Sequence, residues 1–216
     1  MTGLMTKDFL VMRKSLKSYL LIMALYAVMT WLDILNYGFI ITFIQVMLMV
    51  LPITAFAYDE QSKWDRYAMS LPLGRGKVVG ARYLFVLALT LATTAIGLAT
   101  TAILALAREA DPVEMILTLE VSTTIGLLVP AIILPLCYKL GAERARPYLY
   151  AIIFIPVIAF VLLVKAEIID FSALNRLEAL SPAAILGCAS LLPLAGLAGL
   201  AVSYLISCRV AAGEEY

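Results

Sequence analysis

The sequence contains no histidine and has few charged residues. Of its 216 residues, 16 are Lys or Arg and 15 are Asp or Glu, so only 14% are charged, against about 25% in soluble domains. Without histidine, a Ser-His-Asp triad, a Cys-His pair and His-ligated zinc or haem are all excluded. The three cysteines are too far apart for a CxxC metal motif or a dense disulfide framework, and we expect them to be small buried apolar residues: Cys137, Cys188 and Cys208.

Apolar residues dominate the chain instead, at 63%. So few charges cannot form the polar surface that a soluble core of this size needs, and a disordered chain would show the opposite composition. An integral membrane protein is the class that remains. A span needs about 20 mostly apolar residues, and six stretches meet this requirement: Tyr19–Leu35, Tyr37–Ala57, Tyr83–Ala107, Met115–Tyr138, Tyr148–Val164 and Ala183–Cys208.

These six stretches predict an all-α polytopic fold. In hydrocarbon the backbone must satisfy its own hydrogen bonds, which a helix does, whereas a membrane barrel would show alternating segments of about ten residues. No repeat is obvious and no Gly/Ser-rich linker divides the chain. We therefore predict a single transmembrane domain over residues 1–216.

The basic residues fall mainly on one side of the predicted spans. The N-terminal segment, the second and fourth loops and the tail hold 13 of the 16 Lys and Arg residues, and the other loops hold Arg108, Lys165 and Arg176. Because cytoplasmic loops are enriched in Lys and Arg, both termini are predicted to be cytoplasmic.

Residues 1–18 have the pattern of an amphipathic helix. Basic residues occupy much of the surface beside apolar residues that recur at helical spacing: Leu4, Met5, Phe9, Met12 and Leu16. A helix of this kind lies in the membrane interface with its basic face toward anionic lipid. A simple cytoplasmic anchor for the first span is the alternative.

The loop between the second and third spans contains another amphipathic segment, residues 59–71. Asp59 is placed to cap a short helix, Glu60 favours the positive end of its dipole, and Pro72 disfavours its continuation. Charged residues at 63, 65 and 66 flank an apolar stripe of Trp64, Tyr67, Ala68 and Leu71. An aromatic stripe with mixed charge indicates docking to another protein, and a membrane-surface helix without a partner is the alternative.

The run AYDEQSKWDRYAMSLPLGRGKVVGARYL, from Ala57 to Leu84, resembles the signature of type-2 ABC exporter permeases, the ABC-2 family. The opening MTGLMTKDFLVMRKSLKSYLL is similar to the amphipathic N-terminus of the small six-helix subfamily, which includes permeases of bacterial peptide exporters. The motifs cover the first 84 residues, and the remainder agrees in helix number and direction.

The resemblance implies that residues 59–71 form a coupling helix seated in a groove of a separate cytoplasmic ABC ATPase. The coupling residues would be Asp59, Glu60, Lys63, Trp64, Asp65, Arg66, Tyr67 and Leu71. It also implies two permease copies, identical or different, around a central path in a bacterial cytoplasmic membrane. A peptide or another amphipathic molecule would be the substrate, and nucleic acid is not an expected partner.

No catalytic motif is visible in the chain. Gly74-Arg75-Gly76-Lys77 lacks the GxxxxGK[ST] spacing of a phosphate loop and follows no buried strand, so we do not expect ATP to bind here. We expect a chain that is not an enzyme and carries no cofactor, with ATP and Mg bound by the partner ATPase.

Two polar residues inside the spans are candidates for the transport path. Glu120 is an acidic residue within a span, where a mid-membrane carboxylate costs about 2.5–3.5 kcal/mol. Its shallow position also allows a paired or snorkelling structural role. Gln45 is the weaker candidate, because an amide inside a bundle often joins neighbouring helices.

Our leading prediction is the membrane subunit of an ATP-driven exporter that works by alternating access. Two other functions remain open on the sequence alone. A secondary transporter would use Glu120 as a proton- or cation-linked group, although inverted repeats and broken helix pairs are not visible. A membrane scaffold or immunity subunit would use the same docking helix without moving a substrate.

Overall fold

The computed structural model describes residues 2–64, 75–108, 111–166 and 182–213. All regular structure in these ranges is α-helical, which confirms the predicted fold class. The helices are α1 (Thr2–Trp31), α2 (Tyr37–Gln61), α3 (Arg75–Arg108), α4 (Pro112–Leu140), α5 (Ala142–Lys165), α6 (Pro182–Ala189) and α7 (Leu191–Gly213).

Most of these helices are suited to lipid. Within the described ranges, five segments are long and apolar enough to cross a membrane: Tyr37–Gln61, Gly76–Ala107, Pro112–Leu140, Ala142–Lys165 and Ala184–Gly213. The first predicted span corresponds to a shorter apolar part of α1, Ser15–Trp31. The chain is therefore a multi-pass, all-α membrane protein.

Several helices extend beyond the predicted spans at one end of the bundle, including α5, which begins at Ala142 rather than at Tyr148, and α7, which ends at Gly213 rather than at Cys208. Helix α2 continues to Gln61 rather than ending at Ala57, and α3 begins at Arg75 rather than at Tyr83. Hydropathy identifies the residues that suit lipid, whereas backbone hydrogen bonding continues the helices into polar sequence. The helices therefore project beyond their apolar parts at this end of the bundle.

The extension of α2 overturns one local prediction. Asp59 does not cap a separate short helix, and Glu60 does not lie in the first turn of one, because both residues belong to the last turn of α2. Helix α2 ends at a turn in which the Ser62 N–H donates to the Tyr58 carbonyl and Lys63 has a left-handed backbone (φ 52°). The carboxylates of Asp59 and Glu60 therefore lie at the end of a membrane-spanning helix.

The N-terminal amphipathic segment and the first apolar stretch form one uninterrupted helix, α1. This differs from the separate interfacial helix predicted for residues 1–18. Met12 is buried in an apolar cluster with side chains of α2 and α3, and Asp8 is buried as well. Contacts with the bundle therefore hold this segment in line with the rest of α1.

Helix α4 packs against α2, α3, α5 and α7. The largest apolar cluster contains side chains from all five of these helices, including Ile53, Val86, Leu134, Ala145 and Leu200. Helix α4 is thus the centre of the bundle, and the others are arranged around it.

Helices α2 and α4 run side by side in the same direction. Near their first residues, a Cβ on Gly38 would lie 3.7 Å from Thr118 Cγ2. Near their last residues, Phe56 and Tyr138 form an edge-to-face pair with ring centroids 4.8 Å apart. Facing residues therefore differ by 80 to 82 in sequence number along the two helices.

Tyr83 joins α3 to α7. Its hydroxyl lies 2.6 Å from Ser203 Oγ and 2.7 Å from Ser207 Oγ, and both serines are buried. Residues four apart on a helix share a face, so the two serines meet the same phenol.

The last predicted span is divided into α6 and α7 at Ser190. Pro193 has no N–H to donate to the carbonyl of Ala189, and its ring crowds the preceding turn. The proline therefore accounts for the break.

Candidate functional site at the basic end of the bundle

The start of α1, the end of α2 and the starts of α3 and α5 meet at one end of the bundle. Side-chain contacts connect them there, through Lys7, Asp59, Glu60 and Arg82. We call this the basic end, because the N-terminal segment, the loops and the tail on this side hold 13 of the 16 Lys and Arg residues.

Four charged side chains from three helices form one group at the basic end, which we call the charge cluster: Lys7, Asp8, Asp59 and Arg82. Lys7 Nζ lies 2.6 Å from Asp59 Oδ1 and 3.2 Å from Asp8 Oδ1. Arg82 Nη2 donates a hydrogen bond to Asp59 Oδ2, and Arg82 Nη1 forms an ion pair with Asp8 Oδ2 at 3.1 Å. Each cation therefore contacts both carboxylates.

The charge cluster is buried and electrically balanced. Asp8, Asp59 and Arg82 are 4%, 5% and 6% exposed, and the Lys7 side chain is 20% exposed. Burying an unpaired charge costs several kcal/mol, which close pairing offsets. Withdrawing α2 or α3 would leave an excess buried charge, and withdrawing α1 would remove one ion pair from each of Asp59 and Arg82, so the cluster holds α1, α2 and α3 together.

Aromatic rings cover both cations of the charge cluster. Arg82 Cζ lies 4.6 Å from the ring centroid of Phe56, and Phe56 in turn meets Tyr138 of α4. Lys7 Nζ lies 4.3 Å from the ring centroid of Trp64. Cation–π contacts contribute about 0.5–2 kcal/mol each. They extend the cluster to α4 on one side and to the residues that follow α2 on the other.

A small cleft opens beside the charge cluster, between Leu4, Trp64, Val78 and Tyr138. Its volume of about 20 Å³ leaves room for roughly one water molecule. In the described part of the chain, the charges at this position therefore join helices.

Glu60, the residue after Asp59, contacts a different helix. Its Oε2 accepts hydrogen bonds from the backbone N–H groups of Ala142 (2.7 Å) and Glu143 (3.1 Å) at the start of α5. These N–H groups have no partner inside their own helix, and a carboxylate there also interacts favourably with the helix dipole. Gly141 leaves space for it, with φ +83° and a position at which a Cβ would lie 2.9 Å from Glu60 Oε1.

The structure places four of the eight predicted coupling residues. Asp59 and Glu60 bind helices of this chain, Lys63 is exposed in the turn, and Trp64 is partly buried beside Lys7. The other four lie outside the described residues: Asp65, Arg66, Tyr67 and Leu71.

The two transport-path candidates lie at different depths. Gln45 is 1% exposed, and neither polar atom of its amide has a hydrogen-bond partner in the described part of the chain. Glu120 is partly exposed, and its Oε2 is buried and likewise unpartnered there. From the offset between α2 and α4, Glu120 is level with about residue 39, roughly 9 Å from Gln45 along the helix axes. The two side chains therefore start from different levels of the bundle.

Sequence reasoning missed the roles of Lys7, Asp8, Arg82 and Gly141. Asp8 offered one signal, as an acidic residue inside a basic amphipathic segment, and Arg82 offered another by preceding an apolar stretch. Their pairing across three helices has no counterpart in local spacing, and neither does the contact between Glu60 and the start of α5.

Comparison with protein families gives a match over nearly the whole chain. The family described as ABC-2 family transporter protein matches residues 3–211. The chain belongs to the ABC-2 transporter family. No curated protein and no solved structure matches it significantly.

As an ABC-2 family member, the chain is a transmembrane transporter subunit, and the resemblance seen in the sequence is confirmed. This family comprises membrane components of transporters that are generally non-catalytic. The match includes the charge cluster and the Glu60 contact, so both lie within the ABC-2 domain.

Proposed function

We propose that the chain is the transmembrane subunit of an ATP-driven exporter and that its basic end faces the cytoplasm. The attachment of the end of α2 to three other helices carries this proposal. Asp59 binds α1 and α3, and Glu60 binds α5. A segment that docks on an ATPase must pass the movement of that ATPase to the membrane spans. The contacts of Asp59 and Glu60 lie where such a segment would begin.

The docking segment would be residues 59–71, continuing from the last turn of α2 through Trp64. A separate cytoplasmic ABC ATPase would bind this segment through the residues beyond Glu60, because Asp59 and Glu60 bind helices of this chain. The ATPase would bring the ATP and Mg that this chain is not expected to hold. Membership of the ABC-2 family supports such a partner. Nucleotide-driven closure of the ATPase would then move the ends of the helices as rigid bodies and change access to the path.

The substrate would be a peptide or another amphipathic molecule, moved out of a bacterial cell by alternating access between two copies of the chain or between this chain and a related one. The surface of α5 supports a neighbour within the membrane. None of the residues in its most apolar stretch is buried by the described part of the chain, so this surface is available to lipid or to a second copy. Gln45 and Glu120 remain the candidates for the path.

The experiment is purification of the tagged chain from its own membranes, identification of its partners, and reconstitution into vesicles. We expect an ABC ATPase to co-purify, its hydrolysis to be vanadate-sensitive, and peptide movement to require ATP. Asp65→Arg should weaken ATPase association, because it reverses a charge on the docking segment. Glu114→Arg is the matched control, since Glu114 is exposed at the opposite end of the bundle.

Two results would contradict the proposal. Transport that proceeds without ATP, follows a proton gradient and stops in Glu120→Gln would instead show a secondary transporter. Peptide binding without movement, in the absence of an ATPase partner, would show a scaffold or immunity subunit.

A further inference from the structure

The two adjacent carboxylates at the end of α2 bind different parts of the bundle. We propose that Glu60 is a positioning residue that transmits movement of the docking segment to α5, separately from the connection that Asp59 makes to α1 and α3. Because it concerns the docking segment, this role rests on the function proposed above.

The direction of each side chain follows from helix geometry. Consecutive residues on an α-helix point about 100° apart. Asp59 therefore reaches Lys7 and Arg82, while Glu60 reaches the backbone N–H groups of Ala142 and Glu143. One helix turn thus makes two connections, one to the helices that precede and follow α2 in the chain and one to α5.

Helix α5 contacts the rest of the bundle through its first half. Ala142 and Ala145 are buried there, Leu149 and Ile152 pack partly buried against the largest apolar cluster, and none of the most apolar stretch is buried by the described residues. A helix of 24 residues is about 36 Å long. A small rotation at the first turn therefore becomes a larger displacement at the far end of α5.

The connection between α4 and α5 is a single residue, Gly141. The Gly141 N–H donates to the Cys137 carbonyl at 2.9 Å, and the Ala145 N–H donates to the Gly141 carbonyl at 3.1 Å. Glycine suits this position for two reasons: its φ of +83° lies in the left-handed region, and its missing Cβ leaves room for the Glu60 carboxylate. Glu60 therefore binds next to the residue about which α5 turns relative to α4.

The occupied carboxylate distinguishes Glu60 from residues that contact an ATPase directly. Glu60 Oε2 already accepts two backbone hydrogen bonds, and hydrogen bonds to a charged acceptor are the stronger kind. We therefore expect changes at Glu60 to alter what the spans do in response to ATP hydrolysis and to leave ATPase binding unchanged.

The test compares Glu60→Gln and Gly141→Ala with wild type in the reconstituted complex. Glu60→Gln retains an oxygen acceptor but loses the charge, and Gly141→Ala places a Cβ against the carboxylate. Both should bind the ATPase within about twofold of wild type, while the number of molecules of a labelled amphipathic peptide moved per ATP falls roughly tenfold. The double variant should fall no further, because both changes break one contact.

Glu143→Gln is the matched control. It removes an exposed acidic group from the same first turn, but the Glu143 contact with Glu60 uses only its backbone N–H. Its transport per ATP should equal that of wild type. Thermal unfolding of each variant measures general destabilisation, which would lower the amount of active complex and leave the ratio of transport to hydrolysis unchanged.

The outcomes separate this role from the function on which it rests. A wild-type chain that binds no ATPase contradicts the exporter itself. A working wild type together with normal transport per ATP in both variants contradicts the role of Glu60. Weakened ATPase binding by Glu60→Gln, with the ratio unchanged, would make Glu60 a direct ATPase contact and would also overturn the inference. If Glu60→Gln does not fold, Gly141→Ala tests the same contact from the other side.

Discussion

Lys7 Nζ lies 4.3 Å from the centre of the Trp64 ring, so the beginning of α1 touches the chain immediately after the turn that ends α2. The same ammonium lies 2.6 Å from Asp59 Oδ1, on the other side of that turn. Helix α1 thus contacts both the last turn of a span and the first part of the proposed docking segment. These two contacts therefore couple the start of α1 to both segments.

Lys7→Gln should release the Trp64 ring. The variant loses the cation–π contact, worth about 0.5–2 kcal/mol, and the ion pairs with Asp8 and Asp59. In a Trp31→Phe background, which leaves Trp64 as the only tryptophan, we expect red-shifted emission and stronger acrylamide quenching. Arg13→Gln, at an exposed position on the same helix, should leave the spectrum unchanged. An identical spectrum for Lys7→Gln would show that the ammonium does not hold the ring.

Arg82→Gln should strongly destabilise the protein. The substitution leaves two buried carboxylates with one cation, and removing one member of a buried ion pair costs about 3–5 kcal/mol. The free energy of unfolding in detergent, measured by denaturant titration, should fall by this amount. Adding Asp8→Asn restores the balance between Lys7 and Asp59, so the double variant should be more stable than Arg82→Gln alone.

Arg209→Gln is the control for the Arg82 series, because Arg209 is exposed on α7. It should change the free energy of unfolding by no more than about 0.5 kcal/mol. If Arg82→Gln were equally mild, the charge cluster would have no structural role.

Tyr83→Phe should loosen the contact between α3 and α7. The phenol hydroxyl is within hydrogen-bond distance of both Ser203 and Ser207. Hydrogen bonds between membrane helices contribute about 0.6–1.7 kcal/mol, and we expect a loss of that size in unfolding free energy. Tyr150→Phe, at an exposed position on α5, should have no effect. In a double-variant cycle, Ser207→Ala should cost less in the Tyr83→Phe background than in wild type.

Gln45→Leu should stabilise the bundle and impair transport. The amide is buried without a hydrogen-bond partner among the described residues, and such a group costs about 1–3 kcal/mol. We expect unfolding free energy to rise by about 1 kcal/mol and ATP-dependent transport to fall. Met47→Leu conserves side-chain volume on the same helix and should change neither quantity substantially. A stabilised variant with full transport would remove Gln45 from the path.

The sequence predicted the α-helical membrane fold well, because long apolar runs have few alternatives in lipid. It misplaced the helix ends at the basic end, where α2 continues through Glu60 and α3 begins at Arg75. Hydropathy falls at those residues although the backbone remains helical. The break before α7 has a local cause that is visible in the sequence, since Pro193 removes a helix hydrogen bond.

The candidate site was only partly predictable. The spacing around Trp64 indicated a docking segment, but it assigned Asp59 and Glu60 to a separate helix rather than to α2. Their partners come from residues 23 to 83 positions away, including Arg82 and the start of α5. An ion pair between residues so far apart in sequence depends on how the helices pack in three dimensions. The contact of the Glu60 carboxylate with the first N–H groups of α5 likewise leaves no local pattern in the sequence.

The charge cluster also orders events during synthesis. Lys7 and Asp8 precede Arg82 by 75 and 74 residues, so they leave the ribosome well before their partner. Until Arg82 arrives, Asp8 and Asp59 have only Lys7 as a cation in the cluster, and the cluster cannot close. Because Arg82 is the eighth residue of α3, closure requires only the beginning of that helix and can precede completion of its span.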